Sequence, residues 1–97
     1  MYYFIVNPKA SSGRGMKKWK RLAVLLDKHQ IPYKVSFTKQ AGSAIEYARS
    51  ITSRGENLIL VAVGGDGTAN EVLNGICDFV HTTFAYVPAG SGNDLAR

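Results

Sequence analysis

The sequence predicts a three-layer α/β fold: a flavodoxin- or Rossmann-like parallel sheet, with helices on both faces, built in the order β-α-β-α-β-α-β. Three observations lead there. Two runs, "YYFIV" (2–6) and "LILVAV" (58–63), are apolar at consecutive positions, as strands buried on both faces are. Three other stretches repeat apolar residues at steps of three and four, which makes one sticky stripe on a helix. The two kinds of segment alternate along 97 residues, a length that suits one domain with one core. Such alternation is satisfied by right-handed crossovers between parallel strands.

Taken in order, "YYFIV" forms the first strand and runs straight into Asn7-Pro8; it is too short, and lacks the following small residues, to be a signal-peptide core. A loop from Asn7 to Gly15 follows. Met16, Trp19, Leu22, Ala23 and Leu26 then mark the inner stripe of the first helix. In "YKVSF", Tyr33, Val35 and Phe37 alternate with Lys34 and Ser36, the period of a half-exposed edge strand. After the loop Thr38 to Ser43, a second helix carries Ala44, Ile45, Ala48 and Ile51 inward; Ser43 and Glu46 have capping-box spacing, and Gly55 stands where a C-cap glycine belongs. The third strand, "LILVAV", ends in the loop Gly64 to Asn70, and the third helix uses Ala69, Val72, Leu73 and Ile76. "FAYV" is a fourth strand ending at Pro88, followed by a loop to Asp94. Asn93 and Asp94 there look like caps of a helix that would reach only one turn before Arg97. One turn is not stable alone in water, so Leu95 is expected to need a covering surface, from a further domain of a longer protein or from self-association into a homo-oligomer.

Composition narrows the class. Hydrophobic residues at 45% and charged ones at 20% fit ordinary burial, not disorder or a disulfide scaffold. Cys77 is the single cysteine, which points to a reducing, cytoplasmic setting and to a buried structural thiol. No apolar run approaches the roughly 18 to 20 residues that span a bilayer, so any membrane contact is expected to be peripheral. Charge is uneven: residues 1–40 hold nine Lys or Arg against Asp27 alone, whereas the remainder holds three basic and six acidic residues, for a net charge of +5. A basic face favours phosphates, anionic lipid or nucleic acid without choosing among them.

The four loops that follow strands lie where open sheets of this class bind ligands. The most informative is "GGDGT" at 64–68, between a buried strand and a helix. Glycine lets a ligand touch the main chain and reaches positive φ, the conformation expected for this loop. The first amides of the next helix carry the positive end of its dipole, so phosphate is the natural guest. Thr68 adds a hydroxyl. Asp66 beside a polyphosphate would repel it unless a divalent cation or a transferable proton stood between them. Other phosphate motifs fit poorly: "SSGRGMKKW" lacks the Gly-Lys-Ser/Thr ending of a P-loop, and neither Gly13-Arg14-Gly15 nor Gly90-Ser91-Gly92 completes a dinucleotide fingerprint after the first strand. His29 and His81 have no partner at metal-ligand spacing and are expected at the surface.

The sequence resembles the N-terminal part of the diacylglycerol kinase catalytic domain family, the lipid-kinase branch of a superfamily that also holds NAD kinases and phosphofructokinases. Four ordered segments carry the resemblance: "FIVNPKASSGRG", "TKQAGSAIEYAR", "GGDGTANEVLNG" and "PAGSGNDLAR". The last is similar to the lipid kinases and unlike the corresponding NAD kinase loop. The resemblance implies ATP as phosphoryl donor with Mg²⁺, and a lipid acceptor at a membrane surface. It implies a nucleotide site of Asn7, Thr38, Gly64, Gly65, Asp66, Gly67, Thr68, Ala69, Asn70 and Ser91. Asp66 is the expected catalytic group, orienting Mg²⁺ or assisting deprotonation of the acceptor hydroxyl; no metal ligands are assigned. The resemblance also implies that residues 1–97 are the nucleotide-binding domain and that a second, β-rich domain, absent from this chain, supplies much of the lipid site.

Other readings stay open at this stage: an NAD kinase-like enzyme, or a nucleotide-binding or regulatory module without catalysis. Nucleic-acid binding ranks last, because the basic first helix carries no interleaved aromatic platform and no base-reading motif.

Overall fold

The computed structural model describes residues 1–90, so Ser91 and the helix start at Asn93 and Asp94 lie outside the described residues. Four parallel strands, β1 (Tyr2–Val6), β2 (Tyr33–Phe37), β3 (Leu58–Gly64) and β4 (Thr82–Pro88), alternate with α1 (Ala10–Lys28), α2 (Ser43–Thr52) and α3 (Asp66–Gly75). Their order in the sheet is β2-β1-β3-β4. Registers run in step: Val6 lies opposite Phe37 on one side and Val63 on the other, and Gly64 lies opposite Pro88.

The apolar patterns place the layers. β1 and β3 are flanked on both sides in the sheet, and their consecutive apolar residues feed two cores. Tyr3, Ile5, Leu60 and Ala62 pack with Ala44, Ala48 and Ile51 of α2 and Val72 of α3. Phe4, Val6, Val61 and Val63 pack with Trp19 and Leu26 of α1 on the opposite face. Helices therefore cover both faces, as right-handed crossovers require when the chain steps from β1 outward to β2 and then back across to β3. Trp19 anchors the α1 side, with ring centroids 5.0 Å from Phe4 and 5.4 Å from Tyr33. Aromatic pairs of this kind add about 0.5–1.5 kcal/mol beyond area burial. β2 is half-exposed, as its alternation predicts.

Two glycines are fixed by crowding. A Cβ on Gly15 would overlap the carbonyl oxygen of Asn7, and one on Gly75 would overlap the carbonyl oxygen of Ile45. Gly15 thus lets α1 lie close against the end of β1, and Gly75 lets α3 close on α2.

Several expectations are corrected. Ser43 does not form a capping box: Gly42 precedes α2 without a side-chain cap, and Ser43 Oγ accepts the amide N–H groups of Lys39 and Gln40 at 3.4 and 3.2 Å. The hydroxyl folds the preceding loop back instead of closing the helix end. Gly55 takes φ +70°, two residues beyond the Ser53 that ends α2, in keeping with a stop signal. Cys77 is exposed, not buried; its amide donates to Thr52 Oγ1 at 3.1 Å, because the chain leaves α3 at the surface end of α2. His29 and His81 are exposed as expected, and His81 Nδ1 lies 2.8 Å from the Asp78 carboxylate. The hydrogen bond from His81 holds the Asp78 carboxyl below its ordinary value. β4 begins two residues before the apolar run, at Thr82 and Thr83, which pair with Leu58 and Ile59.

Candidate functional site

The strand order reverses between β1 and β3, so the carboxyl ends of these two strands open a crevice, and side chains of both meet in it. Asn7, one residue past β1, donates its amide nitrogen to Thr68 Oγ1 at 3.4 Å, and its backbone N–H bonds Val63 O at 2.9 Å. Thr38, one residue past β2, donates its N–H to Val6 O at 2.9 Å. Each strand end is therefore pinned to its neighbour, and the residue just beyond it turns into the crevice.

The resulting cleft, of about 390 Å³, is lined by Asn7, Lys9, Thr38, Lys39, Gln40, Ala41, Gly67, Thr68 and Glu71. Four of the predicted site residues, Asn7, Thr38, Gly67 and Thr68, stand together in it. Gly64 lies beneath them, where a Cβ would come within 2.7 Å of Thr68 Oγ1. Gly65 and Asp66 stand at the start of α3, with the exposed Asp66 carboxylate accepting the Tyr86 hydroxyl at 3.1 Å. Ala69 is buried, and Asn70 is exposed on α3 outside the cleft lining.

The glycine loop works differently from the expectation of positive φ. Gly65 has φ −93° in extended backbone, and neither it nor Gly67 is among the positive-φ glycines. Their role is space: apart from the adjoining backbone, no heavy atom lies within 4 Å of where a Cβ would stand on either. α3 also begins without a side-chain cap, so the first amides of the helix, at the positive end of its dipole, have no side-chain acceptor.

Left-handed backbone sits elsewhere, in the β1–α1 loop. Ser11, Ser12 and Gly13 take φ 52°, 59° and 93° and break the first turn of α1, so the regular helix starts near the predicted place. For the two serines this costs about 1–2 kcal/mol each. Arg14 Nη1 reaches Gly90 O at 3.0 Å, which brings the β1 and β4 loops together at the same end of the sheet.

Lys9, Lys39, Gln40, Ala41 and Glu71 were not among the predicted site residues. Lys9 and Lys39 stand within three residues of a strand's carboxyl end, and that position, more than their charge, marks them. Glu71 shares a helix face with Thr68 at i,i+3; its carboxylate accepts the Gly42 N–H at 3.4 Å and so ties α3 to the loop before α2. Chemically, the cleft offers two ammonium groups, two hydroxyls, two carboxamides and helix-start amides, with one carboxylate, Glu71, turned to the Gly42 N–H, a set suited to an elongated anion rather than to an apolar guest.

Fold and site together define a parallel α/β domain with a polar, phosphate-compatible cleft at its topological switch point. The chain belongs to the diacylglycerol kinase catalytic domain family, which matches it over residues 1–97. It is 42% identical over 97 residues to a diacylglycerol kinase of Bacillus subtilis, covering 96% of this chain and 31% of that protein. It is 36% identical over 89 residues to a ceramide kinase of Oryza sativa subsp. japonica, covering 90% of this chain and 14% of the other. Among solved structures, a diacylglycerol kinase from Bacillus anthracis superposes with a TM-score of 0.66 at 31% identity, over 96% of this chain and 34% of that one. The family is thus one of lipid kinases, and this chain spans about a third of the length of these bacterial relatives.

Proposed function

We propose that residues 1–97 are the ATP-binding portion of a lipid kinase, which transfers the γ-phosphoryl group of ATP to a lipid hydroxyl such as that of diacylglycerol. The observation that carries this reading is the meeting of Asn7, Thr38, Gly67 and Thr68 in one cleft beside an uncapped helix start. In this reading the phosphates lie along the open space over Gly65 and Gly67, the Thr68 and Thr38 hydroxyls and the Asn7 carboxamide fix their register, and Lys9 and Lys39 offset their charge. Ala69 contributes backbone, Asn70 flanks the nucleotide, and Ser91 adds a hydroxyl from the fourth loop.

Mg²⁺ fits this donor set. Among the described residues no group of three or more His, Cys, Asp or Glu could hold an ion by itself. Mg²⁺ is commonly held by one or two carboxylates together with substrate phosphates, and Asp66 is an exposed carboxylate at the loop. When bound, the ion neutralises charge developing on the transferred group. The acceptor oxygen attacks the γ-phosphorus, the bond to the bridging oxygen breaks, and ADP leaves. Positioning and charge neutralisation do most of the work in such a transfer. Asp66 acts either on the metal or on the acceptor proton. The remaining two-thirds of a full-length protein supplies, in this reading, the second domain and the acceptor site.

Calorimetric titration with Mg·ATP tests the proposal, together with a kinase assay of the complete protein that offers diacylglycerol vesicles or NAD as acceptor. Binding that disappears in Thr68→Val, with phosphate moved to the lipid, supports it. Binding without transfer to any lipid leaves the non-catalytic nucleotide module, and transfer to NAD leaves the NAD kinase-like enzyme.

A further inference from the structure

α1 presents a second surface that the cleft does not use. At 3.6 residues per turn, positions 17, 20, 21, 24, 25 and 28 fall within an arc of about 140°, opposite the stripe of Trp19, Leu22 and Leu26 that packs on the sheet. Four of those outward positions are cations, Lys17, Lys20, Arg21 and Lys28, and two are aliphatic, Val24 and Leu25. All six are exposed, Val24 at 66% and Leu25 at 52%. Among the described residues the one ion pair is Asp78–His81, so these four cations have no carboxylate partner there. The nearest acid in sequence, Asp27, projects about 90° from the middle of the arc.

Charge and exposure together select the partner. A cationic stripe that only kept the protein soluble would have no need of Val24 within it and Leu25 at its edge, where two exposed aliphatic side chains lose free energy to water. A stripe that bound a polyanion such as nucleic acid would gain little from them and would favour polar or aromatic groups. Cations side by side with exposed aliphatics match the boundary of an anionic bilayer, where headgroup phosphates meet ammonium and guanidinium groups and short apolar side chains enter the acyl edge.

We propose that the outward stripe of α1 is a docking surface for an anionic lipid bilayer, laying the helix axis along the membrane. The proposal rests on the lipid-kinase reading only in its choice of a membrane as partner; the residues involved lie outside the nucleotide cleft. The stripe begins beside the Asn7–Gly15 loop, so docking brings the strand-end loops near the membrane surface. Each cation near an anionic surface strengthens partition roughly five-fold, and the attraction fades over a Debye length of about 8 Å at physiological salt.

The test is co-sedimentation of the protein with phosphatidylcholine vesicles containing either no or 30% phosphatidylglycerol. The expected result is binding only to the anionic vesicles, falling as salt rises. Lys17→Glu/Lys20→Glu/Arg21→Glu should weaken it by about a hundred-fold or more. Val24→Ser/Leu25→Ser should weaken it several-fold while leaving binding to a heparin column unchanged. Both variants should keep the wild-type circular dichroism and Mg·ATP affinity, since all five positions are exposed and outside the cleft. Equal binding to neutral and anionic vesicles, or vesicle binding retained by either folded variant, overturns the proposal. So does tighter binding to double-stranded DNA that ignores Val24 and Leu25. Loss of Mg·ATP binding to the wild-type cleft would instead defeat the nucleotide reading and leave the docking result standing.

Discussion

The hydroxyl of Tyr86, on β4, donates to the Asp66 carboxylate at 3.1 Å and stands 3.4 Å from Gly64 O. The carboxylate that the glycine loop displays is therefore held by the neighbouring strand. In the complete enzyme, Asp66→Asn should reduce turnover by about 10²-fold or more if the carboxylate acts on metal or proton in the transition state. Tyr86→Phe should reduce it by about ten-fold, because the carboxylate remains but loses its orientation. Steady-state kinetics with Mg·ATP and diacylglycerol decides the matter; near-wild-type turnover in Asp66→Asn removes the catalytic role.

The open space over Gly65 and Gly67 separates binding from folding. Gly65→Ala and Gly67→Ala meet no protein atom and need no positive φ, so their melting temperatures should stay within a few degrees of wild type. Mg·ATP affinity should fall by at least about ten-fold, as a methyl occupies the place of a phosphate oxygen. Unchanged affinity in calorimetry would place the phosphates elsewhere.

Gly15→Ala and Gly75→Ala should behave in the opposite way. Their methyl groups collide with backbone carbonyls of Asn7 and Ile45, which cannot step aside as a side-chain tip would. A loss of about 1–3 kcal/mol is expected from overpacking, read from urea midpoints at unchanged m.

Tyr86 also gives the stability curve an alkaline limb. Burial, and then the hydrogen bond and charge of Asp66, raise its pKa above the ordinary 10.0. Its contribution is present below that value and is lost as pH rises from there through the raised folded-state pKa, because the unfolded chain ionises first. Asp78 acts at the other end: the His81 hydrogen bond, its largest cause, lowers its pKa below 3.8, so its contribution is present above that value and fades as pH falls through the folded-state pKa. Melting curves against pH should flatten at high pH in Tyr86→Phe and at low pH in Asp78→Asn. A wild-type alkaline limb in Tyr86→Phe would show that another group causes it.

Residues 1–97 alone should transfer no phosphate to diacylglycerol in vesicles, since this chain spans 31% of its Bacillus subtilis relative and carries, in the proposed reading, only the donor site. Radiolabelled lipid formed by the purified chain would show that the acceptor site lies within it.

Much of this was legible in the sequence, for physical reasons. Consecutive apolar residues mark β1 and β3 because both faces of the sheet are covered, and the alternation in β2 reports its exposed edge. Strand ends predict Asn7, Thr38 and Thr68 in one place because parallel strands put all their carboxyl ends on the same side. What stayed hidden depends on partners distant in the chain. Ser43 has the spacing of a cap, yet the loop amides of Lys39 and Gln40 compete for its hydroxyl and win. Cys77, as the single cysteine, reads as a buried structural thiol, but α3 ends just before it and its side chain is exposed. Nothing local reveals that Tyr86 holds Asp66 across 20 residues, or that Glu71 reaches Gly42.

Of the four strands described, β1 leaves the ribosome first, and it is one of the two inner strands of the sheet. Its partner β2 is complete at residue 37, but its other edge waits for β3, which ends at Gly64. A nascent chain shorter than that displays "YYFIV" with an unpaired row of amides and carbonyls and two apolar faces, the features that recruit edge-to-edge association. Early termination or slow decoding between residues 38 and 64 should therefore harm yield more than the same event after β4, and chaperone demand should be greatest in that window of synthesis.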